Sequence, residues 1–118
     1  FYNNKYMVFF NTGRDLSKYT LKEWLLIVQD QGVGEVLLTS IDKDGLSKGE
    51  DINLLKIARS LCKVPLIYSG GVENISNIEN IFNHSFEACA IASALHFDSL
   101  NIKTIKNELT KKNIMIRN

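Results

Sequence analysis

Gly34-Glu35-Val36-Leu37-Leu38-Thr39-Ser40-Ile41-Asp42-Lys43-Asp44-Gly45 decides the fold. Its apolar centre, residues 36–41, reads as a strand that delivers a hydroxyl pair and two carboxylates into a glycine turn. Two later segments end in the same way. Val64-Pro65-Leu66-Ile67-Tyr68 runs into Ser69-Gly70-Gly71, and Ala88-Cys89-Ala90-Ile91 runs into Ala92-Ser93. Three strands in a row therefore finish in small or polar residues at their carboxyl ends. In a parallel α/β protein that is where ligands bind.

Outward from these strands, helical patterns fill the gaps. Residues 6–10 read as a short aromatic and β-branched strand closed by Asn11-Thr12-Gly13. Thr20 and Glu23 have the spacing of a capping box. The helix that follows runs to about Gln31, with Leu21, Trp24, Leu25 and Val28 on its apolar face and Gly32 as its stop. The strand at 36–41 is nearly all apolar, which predicts a sheet covered on both sides. Residues 42–50 form a loop, and Asp51 caps a helix that buries Ile52, Leu54, Leu55, Ile57, Ala58 and Leu61. Pro65 opens the next strand, where it need not donate to the ladder. Asn74 or Ser76 starts a helix to about Phe82. A last helix spans 102–109, Lys111-Lys112 suit its C-terminal dipole, and Ile114-Met115-Ile116 is an apolar tail. The order is strand, helix, then three strand–helix units, which predicts one domain with a parallel sheet and outer helices.

The chain has 118 residues, 45% hydrophobic, with a formal net charge of +1. This composition is that of a globular domain and gives no electrostatic reason to expect nucleic acid or an anionic membrane as partner. No apolar run approaches the roughly 18–20 residues of a membrane span. Residues 1–5 lack the layout of a signal peptide. Cys62 and Cys89 are far apart in apolar segments and read as reduced core thiols of a cytoplasmic protein. The absence of CxxC and the spacing of His84 and His96 argue against a metal site. The chain opens on Phe1 in mid-pattern rather than on methionine, so a fragment of a longer protein is expected.

At these residues the chain resembles the cyclase subunit of imidazole glycerol phosphate synthase, a histidine-biosynthesis (β/α)8 barrel family. The strongest part is the run 34–45, supported by Ser69-Gly70-Gly71, by Ala92-Ser93-Ala94-Leu95-His96-Phe97 and by the tail Asn113-Ile114-Met115-Ile116-Arg117. The resemblance implies the C-terminal half of a TIM barrel. Residues 1–118 would form a single partial domain. The segment at 6–10 would be the extra hairpin strand after barrel strand five, and the strands at 36–41, 66–68 and 88–91 would be strands six, seven and eight. The family's two catalytic aspartates end strands one and five, so no catalytic residue falls within this segment.

The resemblance further implies an ammonia-dependent cyclase and lyase that forms imidazole glycerol phosphate and aminoimidazole carboxamide ribonucleotide. Its partners would be a glutamine amidotransferase subunit and a phosphorylated ribonucleotide substrate, with no cofactor. The turns after strands seven and eight commonly hold a phosphate in such barrels, which points to Ser69, Gly70, Gly71, Ala92 and Ser93. Glycine lets backbone N–H groups approach the anion, and the serine hydroxyls add donors. A tight turn that needs positive φ is the structural alternative for the same glycines. Thr39 and Asp44, with Gly45 in the turn, would contact the sugar-derived chain. Glu35, at the opposite mouth, would belong to the charged ring through which ammonia enters. Asp42 reads as a turn cap, His96 as a packed histidine, and Trp24 as a helix residue buried against the sheet.

Three positions depart from the family pattern. Leu46 stands where threonine is usual, Glu50 where tyrosine is usual, and Val72 where the cyclase usually has alanine and the sister isomerase has valine. Alternatives therefore stay open: a related barrel that amidates a sugar nucleotide for surface polysaccharide, the phosphoribosylformimino ribonucleotide isomerase, or a noncatalytic phosphate-binding half-barrel.

Overall fold

Residues 1–117 are described by a computed structural model. The elements are β1 (Met7–Phe10), β2 (Asp15–Thr20), α1 (Leu21–Asp30), β3 (Val36–Thr39), α2 (Ile52–Leu61), β4 (Leu66–Ser69), α3 (Ile75–Asn83), β5 (Ala88–Ala90), α4 (Ser93–His96) and α5 (Ile102–Lys111). Strands β3, β4 and β5 lie side by side in chain order, all parallel, with α2 and α3 as the crossovers. The fold is the expected α/β arrangement. β1 and β2 form a separate antiparallel hairpin, irregular between Met7 and Phe9.

Local chemistry places the helix ends where the residue patterns put them. Thr20 caps α1, its hydroxyl accepting the Glu23 N–H while the Glu23 carboxylate accepts the Thr20 N–H at 2.8 Å. The Thr20 N–H, and then the Thr20 hydroxyl, which also donates to the Glu23 carboxylate at 2.8 Å, hold that carboxyl below its usual range. Asp51 caps α2 by accepting the Leu54 N–H at 3.0 Å, and Asn74 caps α3 by accepting the Asn77 N–H at 3.0 Å. Each such cap satisfies a donor that the helix itself cannot, worth about 1 kcal/mol. At the other end of α1, Gly32 takes a φ of +77° just past Gln31.

The register fixes which side chains share a face. Val36, Leu38, Leu66, Tyr68 and Cys89 point to the helices, where Leu66 and Tyr68 are fully buried with Leu55, Ala58, Ile78 and Ile81. Leu37, Thr39, Ile67, Ser69, Ala88 and Ala90 share the opposite face, and among the described residues no element covers it: Leu37 is 60% exposed. The sheet is covered on one side, not on both as its apolar composition suggests.

Other differences are local. β2 is absent from the sequence reading because Asp15-Leu16-Ser17-Lys18-Tyr19-Thr20 is mostly polar and draws its order from pairing with β1. α4 is a single turn that the small residues at 93–94 do not announce. β3 and β5 end at Thr39 and Ala90, earlier than read. Trp24 is not buried against the sheet. It lies on the rim of α1, 40% exposed, with its ring tilted against Tyr19 at 5.3 Å, while Leu21 and Leu25 fill the core. Ile57, expected in the core, is 41% exposed. Both cysteines are free. Cys62 is buried and Cys89 half-buried, and burial, then the nearby Glu50 charge, pushes the Cys89 thiol up to about 12. The tail does pack back, since the Ile114 N–H reaches the Leu109 carbonyl at 3.0 Å and Ile114 and Ile116 touch the core, though Met115 stays in solvent.

Candidate functional site

The carboxyl ends of β3, β4 and β5 meet at one cleft. Asp44, Gly45, Ser69, Gly70, Gly71, Ala92 and Ser93 all line it, as do Val72, a departure from the family pattern, and Ser47 and Ile91, which the sequence reading gave no site role. Ser47 carries a signal only in its backbone, a φ of +47°. Thr39 lies beside this cleft, as the register neighbour of Ser69, with its side chain on the bare sheet face. Glu35 is exposed just before β3, at the sheet end away from the cleft. The structure thus brings Asp44, Gly45, Ser69, Gly70, Gly71, Ala92 and Ser93 to one cleft, sets Thr39 beside it, and separates Glu35 from them.

The glycines sit where they do for two reasons. Gly70 and Gly71 have φ of +106° and +77°, values that side chains resist. They also lie against the backbone of the loop after β3. A Cβ on Gly70 would fall 2.6 Å from the Ser40 carbonyl oxygen. The close fit seats the Asp44 loop directly on the turn after β4.

Outside the sheet ladders and helices, and among the described residues, the N–H groups of Gly70, Gly71, Ala92 and Ser93 donate to no backbone carbonyl. Ser93 begins α4, and its cap residue Ala92 supplies no side-chain bond. Gly71, Ala92 and Ser93 thus bring amides without a turn or loop partner to the lining of one cleft, an arrangement that suits an anion. No lysine or arginine lines the cleft.

Asp42 and His96 differ from their readings. The turn expected to be capped by Asp42 is closed by the Ser40 carbonyl, which accepts the Lys43 and Asp44 N–H groups at 3.0 and 2.9 Å. His96 is exposed at the end of α4, edge-on to Phe97 with ring centres 4.9 Å apart.

A polar cluster also escaped the sequence reading. The Tyr6 hydroxyl donates to both oxygens of Asp51, at 3.0 and 3.1 Å, and the Asp51 N–H donates to the Tyr68 oxygen at 2.9 Å. Burial is the largest cause that raises both phenols. Tyr6, with the Asp51 carboxylate beside it, is pushed up to about 12.

A parallel β/α sheet whose successive strand ends gather glycines and hydroxyls at one cleft is the arrangement of the β/α-barrel class. Residues 2–101 match the family described as histidine biosynthesis protein, and the chain belongs to that family. It is similar to the imidazole glycerol phosphate synthase subunit HisF of several bacteria. It is 35% identical to that of Chlorobium chlorochromatii over 115 residues, which is 97% of this chain and 46% of the relative. It is 40% identical to that of Prochlorococcus marinus over 93% of this chain and 43% of the relative. For Buchnera aphidicola the figures are 38%, 97% and 46%. The chain spans about half the length of the curated relatives it matches.

Proposed function

We propose that this chain forms the C-terminal half of a cyclase barrel that uses ammonia to make imidazole glycerol phosphate and aminoimidazole carboxamide ribonucleotide. The observation that carries the reading is that Gly70, Gly71, Ala92 and Ser93 line one cleft with amides that make no turn or loop bond. These amides, with the Ser69 and Ser93 hydroxyls, bind one phosphate of the ribonucleotide substrate. Thr39 and Asp44 orient the sugar-derived chain from the neighbouring strand end. Glu35, at the far end of β3, stands where ammonia from a glutamine amidotransferase partner enters. The acid and base that move protons belong to the other half of the barrel. No helix among the described residues is long and apolar enough to cross a membrane, and the two free cysteines suit the cytoplasm.

Titration of the 118-residue chain with inorganic phosphate, followed by amide NMR, tests the reading. Shifts confined to residues 69–72 and 92–94 support it. Shifts elsewhere, or none, defeat it. The chain alone is expected to give no ammonia-dependent turnover.

One observation favours a second reading. The bare sheet face and the unpaired outer edge of β3 suit a noncatalytic phosphate-binding half-barrel that closes against another copy. The oligomeric state separates the two readings.

A further inference from the structure

We propose that Glu50 is a positioning residue whose carboxylate, gripped by Asn80 of α3, seats the Gly49 carbonyl on the Gly71 turn at the edge of the cleft. The inference rests on the phosphate reading above for its affinity arm, and on geometry alone for the rest.

Asparagine recurs every third residue along α3 and its cap, at Asn74, Asn77, Asn80 and Asn83. Residues at that spacing are neighbours on one side of a helix. Asn77 and Asn80 meet the end of the loop 42–50. The Asn77 Oδ1 accepts the N–H groups of Glu73 and Asn74, both at 3.2 Å, and so closes the chain as it leaves Gly70-Gly71-Val72. Its Nδ2 lies 3.2 Å from where a Cβ on Gly49 would stand. One turn further along, the Asn80 Nδ2 donates to Glu50 Oε1 at 2.7 Å, across 30 residues of chain.

The loop meets the Gly71 position at two places, the Lys43 side chain near its start and the Gly49 carbonyl at its end. The start is fixed by the Ser40 carbonyl, which takes the Lys43 and Asp44 amides. From Gly45 to Lys48 the loop is exposed. The end is fixed by the Asn80 bond to Glu50 and by the Asp51 N–H, which donates to the Tyr68 oxygen at 2.9 Å. Gly49, between the exposed stretch and these anchors, is buried. A carboxylate suits this place because an ionised acceptor makes a stronger bond to an amide than a neutral one does. Glu50, one of the three departures from the family pattern, thereby gains a role.

Reversing the polarity of the pair tests the proposal. Asn80→Asp removes the donor and sets a second carboxylate against the first. Glu50→Gln added to Asn80→Asp restores a bond in the opposite direction, with the glutamine donating and the aspartate accepting. The test uses the 118-residue chain and two readouts by NMR, the Gly71 amide signal and the Kd for inorganic phosphate. In Asn80→Asp the Gly71 signal is expected to move and the Kd to rise about threefold to tenfold, and in the double variant both return most of the way to the parent. Asn80→Ala, which removes the donor without adding charge, serves as the broken pair if Asn80→Asp does not fold. An unmoved Gly71 signal in the broken pair overturns the seat. A double variant as weak as Asn80→Asp overturns the pairing as its cause. A moved signal with an unchanged Kd overturns the positioning role. A parent chain that binds no phosphate defeats the phosphate reading instead, while the Gly71 signal and its rescue still decide the seat.

Discussion

A Cβ placed on Gly71 would lie 2.4 Å from the carbonyl oxygen of Gly49, although 22 residues of chain separate the two positions. Real Cβ atoms do not approach a backbone oxygen so closely, and the φ of +77° at Gly71 resists a side chain as well. Gly71→Ala must therefore move the loop or the turn. We expect a loss of about 1–3 kcal/mol in urea unfolding, together with loss of phosphate binding. A variant as stable as the parent would show that the loop yields freely and is not seated by the turn.

Ser93→Asp separates ligand from scaffold. Ser93 is half-buried in the cleft at the first position of α4, where a carboxylate is well placed with respect to the short helix. Its negative charge would stand where the phosphate goes. Phosphate affinity is expected to fall at least tenfold by amide NMR titration, with the urea midpoint held close to that of the parent. Equal affinity in both proteins would remove Ser93 from the site.

The strand ends were the legible part of the chain. Asp44-Gly45, Ser69-Gly70-Gly71 and Ala92-Ser93 each follow an apolar run, and the topology that brings them together follows from parallel strands joined by helices. Caps at Thr20, Asp51 and Asn74 were legible because their partners lie three residues on. What depends on distant residues was not. Leu37 and Leu38 look alike in sequence, but only the fold shows that one faces helices and the other solvent. β2 has no apolar alternation and exists through β1. The Tyr6–Asp51 bond spans 45 residues and the Asp51–Tyr68 bond 17, beyond any local pattern.

Alkaline pH should weaken the fold through the phenols. Tyr6 is pushed up to about 12, against about 10 for an unfolded tyrosine, by burial first and then by its bond to the Asp51 carboxylate. Within that window the folded chain keeps a proton that the unfolded chain has released. Stability from this group is therefore whole below pH about 10 and is lost as pH rises toward 12. The urea midpoint should fall across the window, and Tyr6→Phe should flatten the fall without abolishing it, since Tyr68 is raised too. The same slope in parent and variant would show that Tyr6 does not carry the effect.

The bare face of the sheet sets the state of the isolated chain. Leu37, Ile67, Ala88 and Ala90 form an apolar row with nothing upon it, and β3 pairs with β4 alone. Beside that open edge, Met7, Phe9, Val36 and Leu38 line an apolar groove between hairpin and sheet. Exposed edges and apolar faces are the features through which sheets pair with other chains. The 118-residue chain is therefore expected to run in size exclusion with light scattering at twice the mass of one chain or more. Burying Leu37 is worth about 1.5–3 kcal/mol per copy, so Leu37→Glu, on the exposed face, should shift the species toward monomer while the helices and their core persist. If the parent chain is already monomeric at micromolar concentration, the second reading falls, and the face is left for the other half of a complete barrel to cover.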